Sequence, residues 1–197
     1  MWKLRTIVMN IRFEKVSAQH LKVIFEWLEE PNVKEFWDNS QAHKDDILNF
    51  VNGRKEPSSY ANGQYIYWIG FIDETPYSLI MTIKENPGEN RPQLKNDYIS
   101  TTGTTYAMEF MIGNQAYFGK GLGARTLEEF IVFFQKNFDA SADTFFIDPA
   151  VTNPRAQHVY AKAGFEHKGD ILIEGNGVFA GIKAHFMVKK LDPKEIV

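Results

Sequence analysis

The segment Met111-Ile112-Gly113-Asn114-Gln115-Ala116-Tyr117-Phe118-Gly119-Lys120-Gly121-Leu122-Gly123-Ala124 joins an apolar, strand-like stretch to a run of alternating glycines. A helical pattern of apolar residues follows the last glycine. Glycine lets the backbone come close to a ligand, and the first turn of a helix offers unpaired N–H groups at the positive end of its dipole. The segment therefore predicts a binding site for an anionic group, and phosphate is the best candidate.

Two common phosphate-binding motifs do not match this segment. A Walker A loop has four residues between its first glycine and the Gly-Lys pair, which Ser or Thr then follows. Here five residues separate Gly113 from Gly119-Lys120, and Gly121 stands where a magnesium-binding hydroxyl is needed. A Rossmann fingerprint needs a third glycine where Thr126 stands, in a unit early in the chain. Both nucleotide-binding motifs are therefore disfavoured.

The overall composition is that of an ordinary globular protein. The chain has 197 residues, of which 44% are hydrophobic and 24% are charged. This length is enough for one domain with a full core and short for two, so we expect a single domain over residues 1–197. Apolar runs are far shorter than the roughly 18 residues that cross a bilayer, and no secretory signal follows the amino terminus. We expect a cytoplasmic protein without a membrane partner.

Cysteine content and charge narrow the classes of chemistry. The chain has no cysteine, so it has no disulfide or thiolate metal site and cannot carry an acyl group as a cysteine thioester. The net charge of −3 gives no general attraction to nucleic acid, and no nucleic-acid partner is expected. No metal site is predicted, because no ligand spacing is found among the five histidines: His20, His43, His158, His167 and His185.

Apolar periodicity divides the chain into strands and helices. The predicted strands are 6–16, 65–72, 77–83, 104–112, 144–147, 165–170 and 178–188. The predicted helices are one from Ser17 to Pro31, a broken region at 32–37 and 45–51, and two more at 121–138 and 153–163. A hairpin turn is predicted at 73–76, and a long polar loop at 84–102. Strands interrupted by helices in this order predict an α/β fold with a mixed sheet.

The glycine segment resembles motif A of the GCN5-related N-acetyltransferases (GNAT enzymes), whose Q/R-x-x-G-x-G/A loop binds the pyrophosphate of acetyl-coenzyme A. Gly121 and Gly123 match the last two fixed positions, whereas Phe118 stands where the family usually has Arg or Gln. A second block, from Ile147 to Phe165, resembles the family's strand, Asn-led helix and Tyr-x-Lys-x-Gly-Phe ending. The resemblance covers about residues 11–190.

This resemblance implies an α/β (α+β) fold, a single GNAT-type domain with a central mixed, mostly antiparallel sheet flanked by helices and a motif core at 104–170. It implies acetyl-CoA as co-substrate and no metal. The implied cofactor-binding residues are Met111, Ile112, Gly119, Lys120, Gly121, Leu122, Gly123, Ala124, Asn153 and Lys162. Asn153 is explained equally well as a helix N-cap, and Lys162 as a solvated lysine.

Acetylation of an amine needs a base for the attacking nitrogen, donors to the developing oxyanion and a proton for the departing thiolate. Glu109 is the candidate base, directly or through a water, because a carboxylate on a core strand is costly unless paired or used. The alternative is that it faces solvent. Backbone N–H groups near Met111 and Ile112 are candidate oxyanion donors. Tyr160 matches the family's general acid, and its alternative role is a core aromatic.

Within the family, the chain most resembles the aminoglycoside 6′-N-acetyltransferases, through Phe36-Trp37, Glu109, the glycine loop and Asp148-Pro149. This resemblance implies direct transfer to a primary amine of a small cationic acceptor, the 6′-amine of an aminoglycoside. The candidate acceptor contacts are Trp37, Asp38, Glu109 and Asp148, with Asp97 as a weaker one. Protein or peptide amines remain possible acceptors, and both a monomer and a homodimer are compatible with the sequence.

Two other functions remain open at this stage. One is acylation of hydroxylamines in siderophore assembly, although that branch typically has a His in the central strand where this chain has Met111 and Ile112. The other is a non-catalytic sensor that binds acyl-CoA. Glu109 and Tyr160 count against a sensor, because a protein that only binds its ligand needs neither a base nor an acid.

Overall fold

The computed structural model describes residues 9–89, 91–173 and 177–191, which build a seven-stranded sheet with helices on both faces. The strands are β1 (Ile11–Lys15), β2 (Ile66–Ile72), β3 (Thr75–Glu85), β4 (Thr104–Ile112), β5 (Ala142–Ile147), β6 (Glu166–Leu172) and β7 (Lys183–Lys190). The helices are α1 (Leu21–Glu29), α2 (Pro31–Lys34), α3 (Gln41–Val51), α4 (Gln93–Asp97), α5 (Leu122–Asn137) and α6 (Pro154–Lys162). Among these residues, no helix is long and apolar enough to cross a bilayer.

The sheet has the strand order β1-β2-β3-β4-β5-β7-β6. All neighbouring strands are antiparallel except β4 and β5, which are parallel. The parallel pairing ends at Ala107 and Phe146, while β4 continues to Ile112 in register with β3. The two central strands therefore separate halfway along β4. This is the point at which the sheet can admit a ligand between neighbouring strands.

The two faces of the sheet are covered by different helices. Trp68 of β2 belongs to the core beneath α5 and α6, where Phe130 and Phe134 pack against it. The neighbouring residue Tyr67 and Leu79 of β3 belong to the core beneath α1, α2 and α3. This division follows from the period-2 alternation of side chains along a strand, which gives each strand one set of residues for each face.

The alternation also fixes the direction of Glu109 on β4. Met108 belongs to the core beneath α5 and α6, and Met111 to the core beneath α1, α2 and α3. Glu109 has the same parity as Met111, so its side chain lies on the face covered by α1, α2 and α3. The carboxyl group consequently lies beside the opening between β4 and β5, and on a defined side of the sheet.

One sequence-based expectation about connections was wrong, and a second, the hairpin turn at 73–76, is confirmed with narrower bounds. The segment 84–102 is not a continuous loop, because β3 extends to Glu85 and α4 forms at Gln93–Asp97. Five helical residues are too few to give a periodic signal, and tertiary packing of Leu94 against β6 supports them. The hairpin turn is Asp73-Glu74 alone, with φ of 46° and 69°, and Pro76 already pairs with Phe71. The turn lacks the Asn-Gly pair that normally indicates such a geometry.

Several of the other boundaries agree closely with the periodic patterns. The predicted strand 104–112 has the bounds of β4, and the predicted helix 121–138 differs from α5 by one residue at each end. The last predicted strand, 178–188, instead begins at Lys183, after a series of turns. Residues 6–8 of the first predicted strand lie outside the described residues.

The first glycine of the quoted segment serves packing. A Cβ added to Gly113 would lie 2.1 Å from Cδ2 of the Trp27 ring on α1. The backbone at the end of β4 therefore contacts the indole ring of Trp27 on α1, and no side chain fits between them.

We predict that Gly113→Ala lowers the free energy of unfolding by about 1 to 3 kcal/mol, because the added methyl group forces α1 away from β4. Chemical denaturation measures this loss. Gly88→Ala is the matched control, since the nearest atom to its added Cβ is Cδ of Arg91 at 3.4 Å, an ordinary contact. Equal unfolding midpoints for the two variants would contradict the assignment.

Candidate active site

Glu109 is the central polar residue of the opening between β4 and β5. Its side chain is half-buried, and its Oε1 accepts a hydrogen bond of 2.7 Å from the hydroxyl of Tyr65. Burial raises the pKa of Glu109 to about 7, an effect that the hydrogen bond from Tyr65 only partly opposes. A carboxyl group with this pKa is close to half ionised at neutral pH. It can therefore accept a proton or return one under physiological conditions.

Two further carboxylates, Asp38 and Asp148, act on Glu109 through space. Both repel its negative charge and raise its pKa further, whereas the ammonium group of Lys95 lowers it. Asp38 lies after α2, is only 7% exposed and accepts a hydrogen bond of 2.7 Å from the backbone N–H of Ser40. Asp148 directly follows β5. The structure thus brings together the three acidic residues that the sequence singled out, and their summed charge favours a cation.

Lys95 is a component of this region that the sequence analysis missed. Its Nζ lies 3.2 Å from Oδ2 of Asp148, and the residue is only 8% exposed although it lies on the short helix α4. No pattern in the segment 84–102 indicated a helix, so nothing distinguished Lys95 from the other lysines. Asp97, the weaker acceptor candidate, is exposed and accepts a hydrogen bond of 2.6 Å from the Gln93 side chain.

A group of tyrosines lines the side of Glu109 that faces α3. The three rings are neighbours in space: the ring centroid of Tyr65 lies 5.7 Å from that of Tyr60 and 6.4 Å from that of Tyr67. Burial raises the pKa of all three, and the negative charge of Glu109 raises it further. The Tyr67 hydroxyl donates a hydrogen bond to Asp46 at 2.7 Å, so its position is fixed. The alternation of Tyr65 and Tyr67 was visible in the sequence, but their proximity to Glu109 depends on the sheet order.

Trp37 lies in the core beneath α1, α2 and α3 and is 6% exposed. Its indole Nε1 is buried without a hydrogen-bond partner among the described residues. The ring of His43 is 6.5 Å away, and Nδ1 of His43 is 2.5 Å from the carbonyl oxygen of Asp38. Trp37 and His43 together hold the backbone that presents Asp38.

Tyr160 of α6 approaches the same region from the other helical layer. It is 7% exposed and packs against the ring of Phe165 at 6.3 Å. Burial raises its pKa, and the charges of Glu109 and Asp148 raise it further. The phenol therefore stays protonated at neutral pH, and it lies within electrostatic reach of both acids. A protonated phenol of this kind can act as a hydrogen-bond donor or a general acid.

The glycine loop leads into α5 as the sequence predicted. Gly119 and Gly121 both have φ of 70°, which favours glycine, and a Cβ on either would meet no atom within 4 Å. Gly121 is the N-cap of α5, no side chain caps the helix, and its first turn has no acidic residue. The backbone N–H groups of the first turn, which includes Leu122 and Ala124, lack intrahelical acceptors and lie at the positive end of the helix dipole.

Gly123 has a packing role in addition to its place in the motif. A Cβ at this position would lie 2.7 Å from Cγ1 of Val159, so the missing side chain lets α5 approach α6. Lys120 is exposed, with its Nζ 5.3 Å from the centre of the Tyr117 ring. Its ammonium group is available at the rim of the loop to add positive charge.

The other predicted cofactor residues lie on β4 and at the two ends of α6. Met111 and Ile112 lie on the part of β4 that has no paired residue on β5. Asn153 is the N-cap of α6, where its Oδ1 accepts the backbone N–H of Ala156 at 3.1 Å. Lys162 is the exposed last residue of α6.

Residues 16–173 match the family model described as an acetyltransferase (GNAT) domain. The chain belongs to the GNAT acetyltransferase family. It is similar to the aminoglycoside N(6′)-acetyltransferase type 1 of Klebsiella pneumoniae, with 22% identity over 163 residues that span 82% of this chain and 77% of the relative. The structure of an aminoglycoside N(6′)-acetyltransferase from Legionella pneumophila has a TM-score of 0.70 at 21% identity, with 93% of both chains covered.

A second solved structure, that of aminoglycoside acetyltransferase AAC(6′)-Ib with coenzyme A and kanamycin, has a TM-score of 0.69 at 18% identity and covers 92% of this chain and 95% of that chain. The predicted family and the predicted fold, a mixed and mostly antiparallel sheet flanked by helices, are confirmed. This GNAT protein is therefore an acetyltransferase.

We predict that Tyr65→Phe raises the pKa of Glu109 in this acetyltransferase above about 7, because the hydrogen bond from Tyr65 favours the ionised carboxylate. A titration of the Glu109 carboxyl carbon by nuclear magnetic resonance measures the shift. Tyr98→Phe is the control, since Tyr98 packs against Phe186 in another cluster. A Glu109 pKa that stays constant or falls in Tyr65→Phe would refute this account of the site.

Proposed function

We propose that this GNAT enzyme transfers the acetyl group of acetyl-CoA to a primary amine of a small cationic acceptor, the 6′-amine of an aminoglycoside. One observation carries the proposal: Glu109, with a pKa near neutrality, lies beside the opening between β4 and β5 and within the field of two further carboxylates. Such a group can take a proton from an ammonium ion and leave a nucleophilic amine next to the bound thioester.

The residues around the opening fit acetyl-CoA in two respects. The start of α5 offers uncapped N–H groups in an open glycine loop, suited to the pyrophosphate, and Lys120 adds charge there. The part of β4 at Met111 and Ile112 offers backbone groups that no β5 residue pairs with, suited to the amide-containing arm. Asn153 and Lys162 extend this set along α6. When bound, acetyl-CoA supplies an activated acyl group.

In the proposed reaction the acceptor enters as an ammonium ion that Asp38 and Asp148 attract. Glu109 accepts one of its protons, directly or through a water, and the free amine nitrogen attacks the acyl carbon. A backbone N–H group at Met111 or Ile112, on the side of β4 that faces the opening, stabilises the negative charge that develops on the oxygen. The C–N bond forms, the C–S bond breaks, and the Tyr160 hydroxyl donates a proton to the departing sulfur. The nitrogen then loses its second proton, which reprotonates Tyr160 through water, and the proton held by Glu109 leaves to solvent. Direct transfer in a ternary complex is favoured because the chain has no cysteine.

The aminoglycoside acceptor is supported by two kinds of similarity and one feature of the site. The relative from Klebsiella pneumoniae is named as an aminoglycoside N(6′)-acetyltransferase, and the similar structure of AAC(6′)-Ib contains kanamycin. Asp38, Glu109 and Asp148 give this chain an acidic region of the kind that a polycationic sugar needs. Trp37 would contribute indirectly, through the backbone that carries Asp38.

We predict that Glu109→Gln lowers kcat by about 10²- to 10⁴-fold, as expected for removal of a general base. The same variant should be more stable than the wild type at pH 8, by about 3 kcal/mol, since an ionised Glu109 with a pKa raised from 4.5 to about 7 opposes folding. This gain should shrink as the pH falls through 7 towards 4.5. Thioester consumption and denaturation curves measure the two effects.

The two measurements distinguish loss of a base from loss of the fold. Glu166→Gln, an exposed position on β6, is the control and should change neither rate nor stability at pH 8 by a comparable amount. An unchanged rate in Glu109→Gln would show that Glu109 is not the general base. Acetyl-CoA binding without turnover on aminoglycosides, polyamines or a hydroxylamine would favour the non-catalytic sensor instead, and turnover restricted to the hydroxylamine would favour the siderophore-type reaction.

We predict that Lys95→Met lowers the KM for an aminoglycoside by about 5-fold at low salt, because it frees the Asp148 carboxylate from a neighbouring ammonium group. The effect should be smaller with a monoamine acceptor and should disappear at high ionic strength. Lys22→Met, an exposed position on α1, is the control. Steady-state kinetics above pH 8, where Glu109 is ionised, make the comparison. A higher KM in Lys95→Met would show that Lys95 assists the acceptor.

A further inference from the structure

The antiparallel pair β6 and β7 brings His185 next to His167 and Asp170, although His185 lies 15 residues beyond Asp170 in the chain. One ligand atom from each residue lies within 4.8 Å of the other two. Asp170 stands directly opposite His185 in the antiparallel register. A register shift between His167 and Gly169 breaks the simple alternation of β6, so that His167 and Asp170, three positions apart, share one face. Sequence spacing among the histidines gave no indication of this cluster, because it depends on strand pairing and on the register shift.

The distances within this cluster suit a coordination shell. Oδ1 of Asp170 lies 2.7 Å from Nδ1 of His185 and 3.0 Å from Nε2 of His167. Ligand atoms bound at about 2.0 to 2.2 Å from one metal ion are separated from one another by about 3 Å. The two imidazole rings are 4.4 Å apart and steeply inclined, at 68°. All three donor atoms lie within 4.8 Å of one another on partly exposed side chains, whose rotation can bring them to one ion.

The backbone beneath the cluster is held in place. The N–H of His185 donates a hydrogen bond of 2.9 Å to the carbonyl oxygen of Pro149, and the neighbouring Ala184 forms a bridge with Ala150. Gly169 packs under Leu94 of α4, where an added Cβ would lie 2.8 Å from Cδ2. The ligand side chains are 28% to 48% exposed, so an ion and its water ligands can reach them.

We propose that His167, Asp170 and His185 form a surface site for one divalent transition-metal ion such as Zn²⁺, with water completing the coordination. Two imidazoles and one carboxylate are donors that Zn²⁺ and its neighbours bind, whereas Mg²⁺ and Ca²⁺ favour oxygen ligands. The site lies outside the residues proposed for acetyl transfer. The ion stabilises the edge of the sheet by linking β6 to β7 and takes no part in the chemistry.

Lys183 limits the affinity of this site. Its Nζ lies 2.7 Å from Oδ2 of Asp170 and shares the carboxylate with both histidines. Its positive charge repels a divalent cation at a few ångströms. Removal of this charge should therefore tighten metal binding, which is the opposite of what the loss of a ligand does.

Titration of the tag-free protein with Zn²⁺ by calorimetry tests the site. We expect one ion per chain and a rise in the unfolding temperature, because the ion binds the folded state. His167→Gln/His185→Gln should weaken binding by at least about 10-fold, whereas Lys183→Gln should strengthen it. His158→Gln is the matched control, since His158 is an exposed histidine on α6 and outside the cluster.

Nuclear magnetic resonance of the wild-type imidazoles locates the ion without any substitution. Zn²⁺ should shift the ring signals of His167 and His185 and leave those of His20 and His158 in place. No binding at millimolar Zn²⁺ would overturn the proposal. Binding that persists unchanged in His167→Gln/His185→Gln, or that shifts the signals of other histidines instead, would also overturn it.

Discussion

The separation of β4 from β5 beyond Ala107 is the constraint on which the rest of the structure depends. A backbone whose polar groups lose their sheet partners in the middle of a protein must satisfy them elsewhere, with water or with a ligand. The parallel pairing before this point and the antiparallel pairing of β5 with β7 hold the two strands in their places. The opening also connects the two sides of the sheet. Glu109 lies on the face covered by α1, α2 and α3, and Tyr160 belongs to α6 on the other face, yet the charge of Glu109 raises the pKa of Tyr160.

The opening imposes an energetic cost that the surrounding residues reduce only in part. Glu109 is desolvated, two like charges raise its pKa, and the Tyr65 hydroxyl and Lys95 lower it without restoring an ordinary value. Ionisation of such a group at neutral pH opposes folding, and the apolar cores on both faces of the sheet must supply the difference. The desolvation and charge repulsion that lower the stability of the fold also raise the pKa of Glu109 to a value near neutrality.

The sequence predicted those parts of the candidate site that lie within one helix or one strand. The bounds of β4, the start of α5, and the positions of Glu109 and Tyr160 all follow from local periodicity and the two motif blocks. Contacts between elements distant in the chain could not be predicted in this way. Tyr65 reaches Glu109 from β2, Lys95 approaches Asp148 from a helix of five residues, and His167 joins His185 through a register shift. The glycines show the same limit: Gly113 and Gly123 are required by Trp27 and Val159, which no motif identifies.

The same distinction explains why the reaction is better determined than the acceptor. The groups proposed for binding acetyl-CoA and for proton transfer lie on β4, α5 and α6, which contain the two motif blocks. The proposed acceptor side combines Asp148, which follows β5, with the segment after α2 and with α4, and the sequence patterns of these last two are weak. Each carboxylate has a partner: Asp38 accepts a hydrogen bond from the backbone N–H of Ser40, Glu109 accepts one from the Tyr65 hydroxyl, and Asp148 forms an ion pair with Lys95. An ammonium group that enters must compete with Lys95 for Asp148. In the proposed reaction, the spacing of charges on the acceptor therefore decides which amine reaches Glu109.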